Sequence, residues 1–340
     1  MPLLQRYFVG ACALVATFAL SSCGPDEDEA VSAPVSSKPD PTGLRSFTGA
    51  PTKVVWLEGE KWELVTNYKS RVRLMGLDTE MNDGAPRDLL GKEMGLSKPL
   101  IAPDGKSVIV SDRAARRILQ VDWESGEVRD LAAGWASDVW PDPNSGRIWV
   151  YHRSGNGEKE NAVKRFPLDD PTAEETVWTK TPTGHDGVPW TQLSADGKFF
   201  ADAFPWRDCG MGSWDNGGKK KKLANGCWPG MSPDNSYRIF VFRSNHRQVE
   251  MYENGNTKTR RTVMIDGAPG QEGKKIYHPQ WSNHPRFLSL STPQKNDRNE
   301  IYIGRFAEDW RSVEAWIQVT KNGRAESFSD VWVASGTVAK

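Results

Sequence analysis

The stretch KPLIAPDGKSVIVSD, residues 98–112, decides the fold, because it joins two short β-rich runs through a tight Asp-Gly turn. Phrases of the same form recur along the chain: SDVWPDPNSGRIWVYHR (137–153), PWTQLSADGKFFADAF (189–204), WPGMSPDNSYRIFVFR (228–243) and HPQWSNHPRFLSLS (278–291). Their turns follow one another at intervals of 38 to 54 residues, counted from Asp104 through Asp142, Asp196 and Asp234 to His284. A repeat of this length is typical of a four-stranded propeller blade.

Each phrase continues into a second pair of strands, as ILQVDWESGEVRDLAAG (118–134) does, so one unit contains four strands, A to D. A last phrase, SDVWV (329–333), has no strand B after it, whereas TKVVWLEG (52–59) has no strand A before it. The two fragments together supply strands A and B of one blade. The sequence therefore predicts an all-β fold, a six-bladed β-propeller over residues 52–340, in which N-terminal B, C and D strands are closed by a C-terminal A strand.

These phrases resemble the blades of the TolB-type family of WD40-like propellers (PD40 repeats), which carry a W-S-P-D-G-K turn followed by an I-x-F strand. LIAPDGKSVIV and MSPDNSYRIFV match that pattern, while SNHPRF and WPDPNSG depart from it. The resemblance covers residues 52–333. It implies the propeller fold and a tendency to bind at one face, but no single chemistry.

The N-terminus, MPLLQRYFVGACALVATFALSSC, has the charged start and short apolar core of a secretory signal. Its last four residues, from Leu20 to Cys23, resemble a bacterial lipobox. We expect residues 1–22 to be a lipoprotein signal peptide and Cys23 to carry an acyl chain such as palmitate. Residues 23–51 are rich in Pro, Ser and acidic residues and predict a flexible tether. The expected location is the cell envelope, with the protein lipid-anchored to the outer membrane on its periplasmic or surface face.

Composition narrows the function classes further. The chain of 340 residues has 44 basic and 44 acidic side chains, and this balance argues against nucleic acid as a partner. Of its four cysteines, Cys12 lies in the signal and Cys23 takes the lipid. Cys209 and Cys227 remain in an oxidising compartment, which predicts a disulfide between them.

The propeller topology predicts which residues share a surface, because the D-to-A and B-to-C connections lie on one face. We expect a binding site at the channel mouth on that face, where indole rings could stack on a sugar and Arg247 or Lys98 could pair with carboxylates. The candidate residues are Lys98, Trp190, Trp228, His278, Arg247, His246, His185 and Asp208.

Two functions are compatible with this surface. The first is a binding module for a protein partner or for an envelope or carbohydrate ligand, with no cofactor. The alternative is a carbohydrate-active enzyme such as a metal-assisted polysaccharide lyase, with a divalent metal on His185, His246 and His278. HPQW (278–281) looks like part of the metal site of oligogalacturonate lyases. No G-x-S-x-G, H-E-x-x-H or P-loop motif is present, so catalytic residues and enzymatic activity stay unassigned.

Overall fold

The computed structural model describes residues 41–61, 70–154, 162–179, 190–215, 218–293 and 299–334. Within these ranges, 24 strands form six four-stranded antiparallel sheets, and a short helix, α1 (Leu44–Thr48), precedes them. Each sheet is one blade. The predicted all-β, six-bladed propeller is confirmed.

The strands are numbered along the chain, and each blade uses four of them. Blade 1 contains β1 (Thr52–Gly59), β2 (Arg73–Asp78) and β3 (Arg87–Asp88) with β24 (Ala325–Val333). Blade 2 contains β4 (Leu96–Ile101), β5 (Ser107–Asp112), β6 (Arg117–Asp122) and β7 (Val128–Ala133). Blade 3 contains β8 (Trp135–Pro141), β9 (Ile148–Arg153), β10 (Val163–Pro167) and β11 (Glu175–Trp178). Blade 4 contains β12 (Gln192–Leu193), β13 (Phe199–Ala203), β14 (Asp208–Ser213) and β15 (Lys219–Asn225). Blade 5 contains β16 (Cys227–Met231), β17 (Ile239–Phe242), β18 (Gln248–Tyr252) and β19 (Arg261–Met264). Blade 6 contains β20 (Tyr277–Trp281), β21 (Phe287–Pro293), β22 (Asn299–Phe306) and β23 (Val313–Gln318).

The ring closes as the sequence predicts. The innermost strands β24, β4, β8, β12, β16 and β20 contact one another in turn around a central axis. Strand β24 pairs antiparallel with β1, so that Val333 lies opposite Thr52 and Ala325 lies opposite Gly59. The two ends of the propeller chain are therefore joined by one hydrogen-bonded ladder, which leaves no open inner edge between them.

Tryptophans join consecutive blades at the A-to-B turns. Trp332 of blade 1 donates from Nε1 to the Pro103 carbonyl of blade 2 at 2.8 Å, and Trp140 of blade 3 donates in the same way to Ala195 of blade 4 at 3.0 Å. Each indole packs over the turn glycine of the neighbouring blade, Gly105 or Gly197. The repeated Asp-Gly turn thus provides both a left-handed backbone and a flat surface for a ring.

Four inner strands share one backbone distortion. Lys98, Trp228, His278 and Phe328 all have positive φ, between 26° and 55°, and each lies where the register of its strand shifts against the next strand. A bulge of this kind re-aims a side chain. In this propeller it brings four bulky side chains together at the centre of the ring.

The last part of the expected tether packs on the propeller. Leu44 of α1 is buried, Arg45 pairs with Glu80 at 2.5 Å, and the ring of Phe47 lies 5.9 Å from that of Phe287. Residues 41–51 therefore belong with the blades, since Leu44 and Phe47 supply the apolar surface that the rest of the tether lacks. Within the described residues, no helix is both long and apolar enough to cross a membrane.

Candidate functional site

One end of the central channel is filled by side chains that we call the plug: Lys98, Trp190, Trp228, His278 and Phe328. Trp190 stacks on both His278 and Phe328, with ring centroids 5.8 Å apart in each case. His278 and Phe328 stack at 3.9 Å. All five side chains are buried, with 2% to 9% exposure. Of the two indoles that we expected to stack on a sugar, Trp190 stacks on its neighbours and Trp228 meets Trp190 edge to face at 5.6 Å.

Ring contacts and a hydrogen bond to a ring nitrogen hold His278 within the plug. Its Nδ1 shares a hydrogen bond with the Ser327 hydroxyl of β24, and the ring of Trp228 lies 4.6 Å away. The lyase hypothesis places this imidazole at the centre of an open site. In the structure it lies inside a packed aromatic cluster.

The other predicted residues of this face are more dispersed. His246 packs against the outer side of the plug, 5.6 Å from Trp228 and 5.0 Å from Tyr277, and burial lowers its pKa. Arg247 is exposed and pairs with Asp266 at 2.6 Å. The structure therefore places His246 beside the plug and engages Arg247 with a carboxylate of its own blade.

Asp208 is not part of this cluster. Asp208 lies on β14, the third strand from the axis, and pairs with Lys222 of the outermost strand at 2.6 Å. His185 lies outside the described residues, as does Cys23. Among the residues that the structure describes, no three His, Cys, Asp or Glu side chains are grouped closely enough to hold a metal ion.

The predicted disulfide is corrected by the structure, in which Cys209 and Cys227 are thiols. Both are buried, on neighbouring blades 4 and 5. Burial and the nearby Cys227 raise the pKa of Cys209, which keeps its thiol protonated and unreactive. The sulfur of Cys227 instead accepts a 3.3 Å hydrogen bond from the indole of Trp206.

The open cavity lies on the other side of the plug, toward the A-to-B turns. It has a volume of about 430 Å³, and we call it the funnel. Its walls are mostly apolar and come from all six blades. The wall residues include Leu100, Pro103, Val139, Trp140, Leu193, Met231, Val331 and Trp332.

The floor of the funnel is polar. It contains two carboxylates, Asp138 and Asp330, and two amides, Gln192 and Gln280. Each carboxylate accepts a backbone N–H from the inner strand of the next blade: Leu193 donates to Asp138 and Ile101 donates to Asp330, both at 2.7 Å. An apolar cavity with a few convergent polar groups is the usual form of a ligand site.

A sequence signal for this floor exists. The tetrapeptide Ser-Asp-Val-Trp occurs twice, at 137–140 and at 329–332. In both copies the Asp bonds the next inner strand and the Trp bonds the next A-to-B turn. The repeated tetrapeptide therefore marks both a floor carboxylate and a wall indole of the funnel.

The electrostatics of the floor are unusual for aspartates. Burial raises the pKa of Asp138 to about 7 and that of Asp330 to about 6, against the partly compensating charge of Lys98. Burial likewise lowers the pKa of Lys98, although three aspartates oppose that shift. Both floor carboxylates can therefore exchange a proton near neutral pH, a property that is concentrated at functional sites.

Comparison with known structures supports the architecture. TolB from Acinetobacter baumannii is similar with a TM-score of 0.57 and 14% identity, over 85% of this chain and 69% of that one. The fold is that of a TolB-like propeller. A chain from a nidogen–laminin complex is also similar, with a TM-score of 0.54 and 10% identity over 84% of this chain and all of that one. At these identities the likeness establishes the fold alone.

Sequence comparisons add no further relatives to this TolB-like propeller. No protein-family model matches the chain, and no curated protein matches it. The funnel and the plug are the structural features that bear on its function.

Proposed function

We propose that this TolB-like propeller is a binding module that takes a segment of a partner protein into the funnel. The observation that carries the proposal is the funnel itself, an apolar cavity of about 430 Å³ with a polar floor. Such a volume is within the range of pockets that bury most of a small ligand. A few side chains of a protein segment would fill it.

The composition of the walls favours a protein segment over a carbohydrate. Leu100, Leu193, Met231 and Val331 offer aliphatic surface, and hydrogen-bonding side chains are confined mainly to the floor and the rim. A sugar displays hydroxyls on all sides and would lose hydrogen bonds to water against such walls. A segment with apolar side chains gains by the same burial.

The two mouths of the channel differ in what they can accept. On the plug side, the described aromatic side chains at the channel axis already contact one another, with Trp190 and His278 buried between neighbouring rings. The funnel side is open and its walls come from separate blades. The proposed binding face is therefore the A-to-B turn face, opposite to the one that the sequence favoured.

We further propose that the module works in the cell envelope as an exported, lipid-anchored protein. Support comes from the signal-like residues 1–22 and from Cys23 in its lipobox-like setting. The matched nidogen–laminin chain comes from a protein–protein complex, which agrees with a binding role for such a propeller.

Site-specific photo-crosslinking tests the binding face. Benzoylphenylalanine is placed either at Pro143, an exposed residue on the funnel rim, or at Ser244, an exposed residue of the B-to-C loop of blade 5 on the plug side. After irradiation in cells, we expect discrete protein adducts from position 143 and none from position 244. Adducts from position 244 alone would overturn the assignment of the face.

A further inference from the structure

The funnel is lined by acids without matching bases. Of the described residues that form its surface, three are acidic, namely Asp138, Asp142 and Asp330, and none is Lys, Arg or His. Asp142 belongs to the A-to-B turn at the rim, where its carboxylate bonds Asn144 and Ser145. Asp138 and Asp330 lie at the floor, where Asp330 is buried and Asp138 is partly exposed to the cavity.

The two floor carboxylates are fixed in place by the fold. Besides the N–H of the next inner strand, Asp330 accepts a 2.9 Å hydrogen bond from Gln280 Nε2, and Asp138 accepts one from the Val139 N–H at 3.0 Å. A carboxylate offers about four acceptor sites, so each group retains capacity for a further donor. The acceptors are positioned before any ligand arrives.

The Lys98 ammonium beneath the floor does not neutralise both groups. Lys98 directs its hydrogen bonds to the carbonyls of Ser137 and Thr191, at 3.0 and 3.5 Å. The third nearby aspartate, Asp202, is paired with Arg153 at 2.5 Å. With both floor carboxylates ionised, the floor carries one more negative charge than positive charge.

We propose that the floor pair Asp138 and Asp330 binds a cationic group, the ammonium of a lysine or the guanidinium of an arginine, on an otherwise apolar segment of the partner. This inference rests on the proposed function and names the chemistry of the occupant. A long basic side chain matches the funnel in both respects, because its aliphatic stem can lie along apolar walls while its charged head reaches the carboxylates.

The test compares three small probes that differ only at one end: 4-phenylbutylamine, 4-phenylbutanol and 5-phenylpentanoate. Binding to the full chain is followed by NMR through the indole N–H signals of Trp140 and Trp332, which line the funnel. We expect the amine to bind about tenfold or more tightly than the alcohol, as a charge-assisted hydrogen bond allows. The carboxylate probe should bind most weakly.

Substitutions of the floor carboxylates then show whether they cause the preference for the amine over the alcohol. Asp138→Asn and Asp330→Asn should each reduce the amine-to-alcohol ratio about tenfold. Asp104→Asn, at an exposed A-to-B turn outside the funnel, is the matched control and should leave the ratio unchanged. The comparison of probes on the unmodified protein needs no variant, so it decides the matter even if an Asn variant folds poorly.

The failure of this inference is distinguishable from failure of the proposed function. Equal binding of amine and alcohol, or an amine preference that survives both floor variants, would overturn the cation site while leaving an apolar binding funnel. If none of the probes shifts the two indole signals, the cation site falls as well. The photo-crosslinking from Pro143 then decides separately whether the funnel face binds a partner.

Discussion

The backbone N–H of Ile101 donates a 2.7 Å hydrogen bond to Oδ2 of Asp330, a residue 229 positions later in the chain. Asp330 belongs to the closing strand of blade 1, and Ile101 to the inner strand of blade 2. Gln280 of blade 6 donates to the other oxygen of the same carboxylate at 2.9 Å. One side chain of the funnel floor thus connects three blades at the point where the ring closes.

Replacement of Asp330 by Ala should therefore weaken the ring. The Ile101 N–H would lose its acceptor while still buried, and an unsatisfied buried donor costs about 1–3 kcal/mol. We expect the free energy of unfolding, measured by urea titration, to fall by that amount. Asp309→Ala, at an exposed turn beyond β22, serves as the control and should change it by less than about 0.5 kcal/mol. An equal loss in both variants would show that Asp330 does not connect the blades.

Alanine substitutions at two turn glycines distinguish the stability cost of overpacking from the cost of backbone strain. Gly197 and Gly146 both have φ of 70°, but a Cβ on Gly197 would lie 2.5 Å from Trp140, whereas a Cβ on Gly146 would meet nothing within 4 Å. Gly146→Ala should cost about 1 kcal/mol, from the left-handed backbone alone. Gly197→Ala should cost about 1–3 kcal/mol more, from overpacking against the indole. Equal melting temperatures of the two variants in calorimetry would show that the Trp140 indole does not pack on the Gly197 turn.

The raised pKa of Asp138 predicts a pH dependence of stability. The folded protein holds a proton on Asp138 up to about pH 7, whereas the unfolded chain releases it near the ordinary pKa of 3.8. The folded state thus binds more protons between these values, and the contribution of Asp138 to stability is lost as the pH rises from about 4 to about 7.

Unfolding titrations of the unmodified protein and of Asp138→Asn across this pH range measure that contribution. Relative to the variant, the unmodified protein should lose on the order of 2–4 kcal/mol between pH 4 and pH 7. Glu326, whose pKa burial raises to about 8, is present in both proteins and does not affect the difference. Parallel pH profiles would contradict a proton-binding Asp138 at the funnel floor.

Lipidation at Cys23 remains a prediction from the sequence. Cys23→Ser should abolish labelling by a palmitate analogue and move the protein from the membrane pellet to the soluble fraction. Cys209→Ser, in a buried thiol of the propeller, is the control and should leave labelling unchanged. Unaltered membrane association of Cys23→Ser would refute the lipid anchor.

The fold was predictable because its determinants are local and repeated. Strand, Asp-Gly turn and strand recur in phrases such as residues 98–112, and the unpaired SDVWV (329–333) points to closure by β24. The face that carries the open cavity was harder to predict. Bulges in four inner strands turn side chains toward the axis, and they decide whether Trp190 and His278 face solvent or one another. No single residue type specifies a bulge.

The predicted disulfide between Cys209 and Cys227 is wrong, because both residues are thiols in the structure. The count of cysteines and the expected compartment favour a bond between Cys209 and Cys227, but side-chain direction decides whether two sulfurs meet. In the structure the sulfur of Cys227 is bonded to the Trp206 indole instead. Such a contact between the B-to-C loop of blade 4 and the inner strand of blade 5 has no signature in the sequence.

The most direct test of the central claim sets the two mouths of the channel against each other. Val139→Trp would place an indole inside the funnel, whereas Arg247→Ala removes the exposed charge that was expected to bind ligand at the plug side. Adduct yield from benzoylphenylalanine at Pro143 is measured in both backgrounds, with unchanged circular dichroism melts as the folding control. We predict that Val139→Trp abolishes the adduct and that Arg247→Ala preserves it. The reverse result would contradict binding through the funnel.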